Sequence, residues 1–235
     1  MKKLALTLLI LPAFCLLATA QTMPTADEVI DKYLAAIGGK KALMKVKDVT
    51  SEGSLQYDNA LIKISLKRKA PAKAMTLITG DNGQLLYKFV TDGTSAVDVT
   101  QQGTNRQSEQ NTRLSLMYNR FCPELVYKAE SIKSTLEGKE PIDGQEAYKV
   151  TSTFADGTPF CTNYYDVATG LKVQTIIKWD QNRTATLKPS DYRAVDGVKI
   201  PFVSMYQENG GGVSKTQLNS VQINKGVSDT EFNVQ

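Results

Sequence analysis

Apolar and polar residues alternate with a period of two along much of the chain after Val46. The segment 62–67 is the clearest case, because Ile62, Ile64 and Leu66 are separated by lysine or serine. This period predicts β-strands with one buried face and one solvent-exposed face. The same alternation, or a short apolar run, predicts further strands at 75–78, 85–90, 147–153, 160–166, 171–179, 200–206 and 217–223.

Turn-forming residues separate these segments at short intervals. Pairs rich in Asp, Asn and Gly stand at 58–59, 82–83, 92–93, 143–144, 156–157, 169–170 and 196–197. Such residues tolerate the positive φ angles of tight hairpins. No long helical pattern separates consecutive strands, which argues against a parallel sheet. The sequence therefore predicts a mainly β fold, an antiparallel meander that is rolled into a barrel or forms a strongly curved sheet.

Two segments follow a helical period instead. Thr25 and Glu28 have the spacing of a capping box, and apolar residues follow on one face until Gly38 and Gly39 end the segment. Between 111 and 128 apolar residues again recur at helical spacing, and Pro123 fits the first turn of a second short helix. We expect an N-terminal helix and a short central helical lid to cover the sheet, with a polar loop at 101–111.

The first twenty residues resemble a secretory signal peptide. Lys2 and Lys3 precede an apolar run at 4–17, and small residues lead to a cleavage site after Ala20. The run contains Pro12 and is shorter than the ~20 residues of a membrane-spanning helix. We expect a signal peptide at 1–20, one domain at 21–235, and a periplasmic location.

Cys15 offers an alternative, because a cysteine in a signal peptide can be lipidated. The bulky Phe14 precedes it and the apolar run continues beyond it, so a lipid anchor at Cys15 is the less favoured reading. The other two cysteines, Cys122 and Cys161, predict a disulfide in an oxidising compartment. Two buried free thiols are the alternative.

The charged residues are close to balance. The chain carries 28 basic and 24 acidic residues, a net charge of +4, and Lys2 and Lys3 supply two of these charges. Lysines and acids alternate along the sequence and form no concentrated basic face, so nucleic acid is not an expected partner.

Residues that carry common catalytic chemistry are missing. The chain has no histidine, which excludes Ser-His-Asp and Cys-His catalysis and most zinc sites. Phosphate-binding and nucleophile-elbow motifs are also absent. The acids Glu137, Glu140, Asp143 and Glu146 border a predicted turn, which explains them better than a glycosidase pair does. We expect a protein that is not an enzyme and has no cofactor and no metal site.

A thin curved sheet has more apolar surface than it can pack on itself. The helices can cover its concave face and leave a cavity between, and flexible methionines suit such a lining. An ordinary closed core is the alternative. The candidate lining residues are large and apolar: Met75, Leu77, Phe89, Leu114, Met117, Phe121, Leu125, Ile177, Trp179 and Met205.

Several short motifs occur in an order that resembles the outer-membrane lipoprotein-sorting (LolA/LolB-like) carriers and their broader relatives. In the first half of the chain these motifs are the helix that ends in Gly38-Gly39 (26–39), Gly53, the Arg-Lys-Ala-Pro stretch at 68–71 and Asp-Gly-Thr at 92–94. In the second half they are Tyr-Tyr-Asp at 164–166, Thr-Gly-Leu at 169–171, Asp-Gly-Val-Lys-Ile-Pro-Phe at 196–202, Ile223-Asn224 and Phe232. The resemblance implies an incomplete barrel, closed on one side by helices, whose cavity holds acyl chains. It also implies that Arg68 helps to hold the lid shut.

The function expected from this resemblance is a non-catalytic periplasmic carrier of a lipid or an acylated protein. An envelope protein partner and peripheral membrane contact are compatible with it. The alternative is a protein–protein interaction module, which would show a filled core and an exposed apolar patch.

Overall fold

A computed structural model describes residues 23–58, 60–179 and 182–234. The expected signal peptide and Cys15 lie outside the described residues. In the described part the chain forms thirteen strands, three α-helices and two short 3-10 helices. None of these helices is long and apolar enough to cross a membrane.

The helices lie at the N-terminus, in the middle and near the C-terminus of the chain. They are α1 (Ala26–Ala36), α2 (Lys40–Leu43), α3 (Glu109–Tyr118) and the 3-10 helices Pro123–Val126 and Asp229–Phe232. The strands are β1 (Asp48–Tyr57), β2 (Ala60–Lys69), β3 (Lys73–Thr79), β4 (Leu85–Thr91), β5 (Ala96–Thr100), β6 (Gly103–Arg106), β7 (Lys133–Ile142), β8 (Gln145–Thr153), β9 (Pro159–Asp166), β10 (Lys172–Lys178), β11 (Thr184–Val195), β12 (Val198–Glu208) and β13 (Val213–Ile223).

All strands belong to one antiparallel sheet in the order β6-β5-β4-β3-β2-β1-β13-β12-β11-β10-β9-β8-β7. Consecutive strands pair with each other except for β6 and β7, and one long-range pairing joins β1 to β13. The two edges of the sheet, β6 and β7, are consecutive in the chain, so the segment that carries α3 and Pro123–Val126 connects one edge to the other. The sheet is therefore not closed, which confirms the predicted incomplete barrel with helices.

Helix α1 begins as the sequence predicts. The Thr25 hydroxyl accepts a hydrogen bond from the Glu28 backbone N–H (3.2 Å), and Glu28 Oε2 accepts one from the Thr25 backbone N–H (2.7 Å). This reciprocal pair satisfies donors that the first turn of a helix leaves free. The helix then buries Val29, Ile30, Tyr33 and Leu34.

The central helices also form where the spacing predicts them, and Pro123 opens the second one. The expectation of a loop at 101–111 was wrong in part, because this segment contains β6 and the first residues of α3. Strand β6 is exposed at every position, and half of β7 is exposed, so neither edge strand shows a strong apolar signal.

Apolar residues pack on both faces of the sheet. The main core joins α1 and α3 to β8 and β9, and includes Leu34, Leu114, Phe160 and Tyr165. A second cluster lies against β3, β4 and β5, where the C-terminal segment packs on the sheet; its members are Met75, Val90, Val97, Val227 and Phe232, with Leu77, Val99 and Val234 beside them. The face under this C-terminal segment is called the outer face below.

Candidate functional site

A cavity of about 860 Å³ lies between the sheet and the helical segment. This volume falls within the roughly 300–1,000 Å³ of small-molecule sites. The strand face that lines it is called the cavity face. Its apolar wall comes from several strands and includes Val49, Leu55, Ile64, Leu66, Ile78, Phe89, Leu187, Phe202 and Leu218.

The strand registers arrange this wall in rows. Leu66 pairs with Thr76, and Thr76 pairs with Phe89, so three neighbouring strands contribute adjacent side chains. Gly53 allows the β1–β13 pairing nearby, because a Cβ at this position would lie 2.2 Å from the Gln217 carbonyl oxygen. The register shifts at the same place, between Glu52 and Gly53. A bulge of this kind bends a strand and thus helps a sheet to curve.

A network of polar side chains connects α3 to strands β4 and β5 at the cavity. Asp98 on β5 accepts hydrogen bonds from the Tyr87 hydroxyl (2.6 Å) and from Gln107 Nε2 (2.9 Å). Gln107 Oε1 in turn accepts a hydrogen bond from the Ser115 hydroxyl on α3 (2.8 Å). Burial and the hydrogen bond to Asp98 raise the pKa of Tyr87 well above its usual range, so the phenol stays protonated and remains a donor.

Arg68 reaches the other end of the same helix. Its Nε donates to the backbone carbonyl of Asn119 (3.0 Å), the residue that caps α3. Burial lowers the pKa of the guanidinium, and the nearby Tyr118 opposes this shift. The structure thus places Arg68 on the cavity wall and against the end of the lid helix. Its role in keeping the lid closed stays a prediction.

A buried ion pair lies beside the cavity where Pro123–Val126 meets β10. Lys172 Nζ contacts Glu124 Oε1, and the Tyr165 hydroxyl donates to the same oxygen (3.2 Å). Burial favours a lower pKa for Lys172, but the charge of Glu124 and its hydrogen bond outweigh burial, so the pKa is raised. The amine also lies 4.9 Å from the centre of the Tyr33 ring. Because each charge is paired, this cluster joins two elements and is suited to a structural role.

The predicted disulfide is wrong for this structure: Cys122 and Cys161 are both free and buried. Cys122 Sγ lies 3.6 Å from Glu124 Oε2, and Cys161 Sγ lies 3.8 Å from the Tyr127 hydroxyl. Burial raises the pKa of Cys161 to about 12 and that of Cys122 well above its usual value. Reactive cysteines have lowered pKa values, so these two thiols are packed as apolar residues.

Three of the residues predicted to line the cavity do so: Phe89, Phe121 and Trp179. Trp179 packs edge-on against Tyr118, with ring centres 6.1 Å apart. Binding of a ligand by these residues stays a prediction.

The structure places the other predicted lining residues elsewhere. Leu114 and Met117 lie in the main core under α3, and Ile177 is fully buried. Leu125 borders a separate depression of about 150 Å³ beside α1.

Met75 and Leu77 lie on the outer face, and Met205 is 44% exposed. The reason for these differences is the alternation of strand side chains. Thr76 and Ile78 occupy the cavity face of β3 that Met75 and Leu77 were expected to fill, and Ser204 and Tyr206 do the same around Met205.

Sequence reasoning also missed part of the lining. Ile64 and Leu66 line the cavity, and the alternation at 62–67 indicated that these two side chains share one apolar face of a strand. The polar groups Asp98, Gln107 and Tyr206 had no such signal, because nothing in their local sequence distinguishes them from solvent-exposed residues. In the described ranges no group of His, Cys, Asp and Glu side chains could hold a metal ion.

Comparison with known proteins identifies the fold. No protein-family model matches this chain, and no curated protein matches its sequence. Among solved structures it is similar to a DUF1329 family protein from Desulfovibrio piger, with a TM-score of 0.58 and 15% identity over 89% of this chain and 97% of that chain.

Two further similar structures carry more specific names. A putative outer membrane lipoprotein-sorting protein domain from Vibrio parahaemolyticus gives a TM-score of 0.58 at 13% identity, covering 88% of this chain and 95% of that one. A LolA superfamily protein from Nitrosomonas europaea gives a TM-score of 0.58 at 12% identity, covering 90% and 98%. The resemblance to lipoprotein-sorting carriers is therefore confirmed at the level of the fold.

Proposed function

We propose that this protein is a non-catalytic periplasmic carrier that holds an acyl chain of a lipid or of an acylated protein in the cavity between the sheet and α3. The observation that carries this proposal is the cavity of about 860 Å³ with an apolar wall. A closed core of the same size would have filled this space with side chains.

The wall keeps apolar surface accessible that a closed fold would bury. Leu55, Leu66, Ile78 and Leu187 all line the cavity and are only half-buried. Covering such surface stabilises a complex by about 25 cal/mol per Å². An acyl chain offers apolar area along its whole length, so it gains from this wall without requiring a specific polar partner.

The acids on the wall are engaged in hydrogen bonds with tyrosines. Asp98 accepts from Tyr87 (2.6 Å) and Glu208 accepts from Tyr206 (2.8 Å). A carboxylate that already holds a phenolic donor is poorly placed to act as a general base on a substrate. This arrangement supports a binding function more than a hydrolytic one.

The similar folds support the same proposal. Two of them are named for lipoprotein sorting or for the LolA superfamily. A shared fold does not by itself carry a function to another chain, so the cavity remains the main support. Delivery of a bound acyl chain would then require a receiving lipid surface or an envelope protein with a better site.

An interaction module is the second candidate, because apolar side chains are exposed at neighbouring hairpin ends. Tyr57, Leu61 and Val213 lie near the ends of β1, β2 and β13 and are 45%, 64% and 43% exposed. β1 pairs with both β2 and β13 at these ends. Such a patch suits a transient contact, which a carrier also needs in order to load or release its ligand.

Filling the cavity tests the carrier function. Ser204 on β12 lines the cavity, whereas Ser190 on the neighbouring β11 is exposed. Ser204→Trp should reduce the affinity for dodecanol at least tenfold, because the indole occupies the space of the chain. Ser190→Trp is the matched control and should bind as the unaltered protein does. Titration followed by native mass spectrometry measures both.

The same instrument can examine protein purified gently from the periplasm of its own cells. A mass increment that extracts into organic solvent would identify the natural ligand, and the intact mass would show whether cleavage occurs after Ala20. Equal dodecanol affinity in Ser204→Trp and Ser190→Trp, with native circular dichroism in both, would rule out this cavity as the binding site.

A further inference from the structure

Arg68 carries a positive charge that no carboxylate balances among the described residues. Two other cations on the cavity wall are paired: Lys172 with Glu124, and Arg120 with Glu130 at 2.6 Å. Arg68 has one hydrogen-bond acceptor, the neutral carbonyl of Asn119.

Arg68 lines the cavity, and part of its guanidinium makes no hydrogen bond. Only Nε takes part in a hydrogen bond among the described residues, which leaves Nη1 and Nη2 available. Arg68 retains some accessible surface although burial lowers its pKa. The partial exposure and the lowered pKa are compatible if the exposed part of Arg68 belongs to the cavity wall and not to the outer surface of the protein.

A second arginine of the cavity wall lies next to Asn119, the residue that Arg68 contacts. Arg120 follows Asn119 directly in the chain and also lines the cavity. Its Nη2 donates to Glu130, but its buried Nε has no hydrogen-bond partner. Arg120 therefore contributes a second guanidinium to the cavity wall, beside the residue that Arg68 contacts, and Glu130 is the carboxylate paired with it.

An apolar strip of the cavity wall begins next to Arg68. Leu66 and Ile64 line the cavity on the same strand as Arg68, at every second position. At about 3.3 Å per residue the strip extends roughly 13 Å from Arg68 to Ile64. A charge at one end of an apolar strip matches a ligand that is itself charged at one end.

The energetic argument concerns the unpaired charge. A partly buried cation without a counter-ion is costly, and an anion that reaches it recovers part of this cost. Guanidinium groups bind carboxylates and phosphates through two parallel hydrogen bonds, for which the two free Nη groups are suited.

We propose that Arg68 binds the anionic group, a carboxylate or a phosphate ester, of an amphiphile whose acyl chain lies along Leu66 and Ile64. This inference rests on the proposed carrier function and adds the chemical class of the head group. Arg68 would then exchange or share its contact with the lid helix when such a ligand enters.

The test compares three ligands with the same twelve-carbon chain: laurate, dodecyl phosphate and dodecanol. Inorganic phosphate serves as an anion without a chain. Titrations at pH 7.5 use the unaltered protein, Arg68→Gln and, as a control, Arg193→Gln, which removes a surface arginine paired with Asp191. Circular dichroism checks that each variant is folded.

We expect at least one of the two anionic amphiphiles to bind about tenfold more tightly than dodecanol, since a hydrogen bond to a charged group contributes on the order of 1.5–3 kcal/mol. Arg68→Gln should remove this preference and leave dodecanol binding unchanged, while Arg193→Gln should keep it. The preferred anion would tell a fatty acid from a phosphate-bearing lipid.

Other outcomes separate the two proposals. Equal binding of all three amphiphiles to the unaltered protein would overturn the head-group inference and leave the carrier function standing. Inorganic phosphate binding as tightly as dodecyl phosphate would also overturn it, because the chain would then contribute nothing. Failure of all three amphiphiles to bind would overturn both proposals. A folded Arg68→Gln that keeps the preference would overturn the inference as well, because another cation of the wall, such as Arg120, would then hold the anion. If Arg68→Gln does not fold, Arg68→Lys replaces it: it keeps the charge, loses the paired Nη donors and should weaken the preference.

Discussion

Glu124 and Lys172 form an ion pair in which the carboxylate side chain is fully buried and the lysine side chain is 14% exposed. Glu124 belongs to the segment that connects the two edges of the open sheet, and Lys172 begins β10. The pair therefore fixes the connecting segment to the sheet beside the cavity. The Tyr165 hydroxyl, at 3.2 Å, satisfies the same carboxylate further.

Breaking this pair from one side should destabilise the protein strongly. Lys172→Met leaves the Glu124 carboxylate buried without its counter-ion, and we expect a loss of about 3–5 kcal/mol in the free energy of unfolding. The double variant with Glu124→Leu should recover much of this loss, because neither charge is then buried. Urea denaturation measures all three proteins.

The matched control is Lys188→Met, which removes an ion pair with Asp143 whose acid is 72% exposed. This change should cost less than about 1 kcal/mol. A Lys172→Met variant as stable as Lys188→Met would show that the buried pair contributes little.

Stability should fall at alkaline pH. The folded-state pKa of Cys161 is raised to about 12 from 9.0 because the thiol is buried. Between these values the unfolded chain loses the thiol proton and the folded protein keeps it, so deprotonation favours the unfolded state. The buried Tyr33 and Tyr165 act in the same direction, because burial raises their pKa values too.

We therefore expect the free energy of unfolding to be nearly constant from neutral pH to about pH 9 and to decrease as pH rises toward 12. Cys161→Ala removes one titrating group and should reduce the slope by up to about 1.4 kcal/mol per pH unit. Urea denaturation at intervals of half a pH unit measures this. An identical slope in the variant would contradict the assignment to Cys161.

The two cysteines should react as free thiols only after unfolding. Both Cys122 and Cys161 are buried, and their raised pKa values keep them protonated at neutral pH. Iodoacetamide should leave the native protein unmodified and add one label to each cysteine in urea without a reductant. Labelling that appears only after reduction would instead show a disulfide.

The network around Asp98 should control how often α3 opens. Asp98→Ala removes the acceptor shared by Tyr87 and Gln107, and Gln107 is the residue that holds Ser115 of the helix. We expect faster amide hydrogen exchange in Glu109–Tyr118 and faster release of dodecanol. Exchange in β8 and β9, which belong to the main core, should stay nearly unchanged.

Asp156→Ala provides a control on the same helix. It removes an ion pair with Arg113 in which both side chains are about half exposed (43% and 54%). Such surface pairs contribute little, so exchange in α3 should change much less than in Asp98→Ala. Equal acceleration in the two variants would show that the Asp98 network does not hold the lid.

Local sequence was enough to predict the elements that local interactions form. The capping box of Thr25 and Glu28 starts α1, Pro123 opens the second central helix, and alternating residues mark β2. Each of these features involves residues that are only a few positions apart in the sequence. The order of turns and strands then predicted an antiparallel sheet that is curved or rolled into a barrel, and the resemblance to lipoprotein-sorting carriers implied that the barrel is incomplete. The structure has this fold.

Only the tertiary structure decided which face of each strand lines the cavity. An alternating strand shows that its two faces differ, but both faces of β3 carry apolar residues. Met75 is covered by Phe232, which lies more than 150 positions later in the chain, while Thr76 and Ile78 face the cavity. The unbalanced charge of Arg68 was equally invisible, because it depends on which distant groups pack around the guanidinium. Burial is a property of contacts between segments, and for this reason the sequence determined the strands and the fold determined the site.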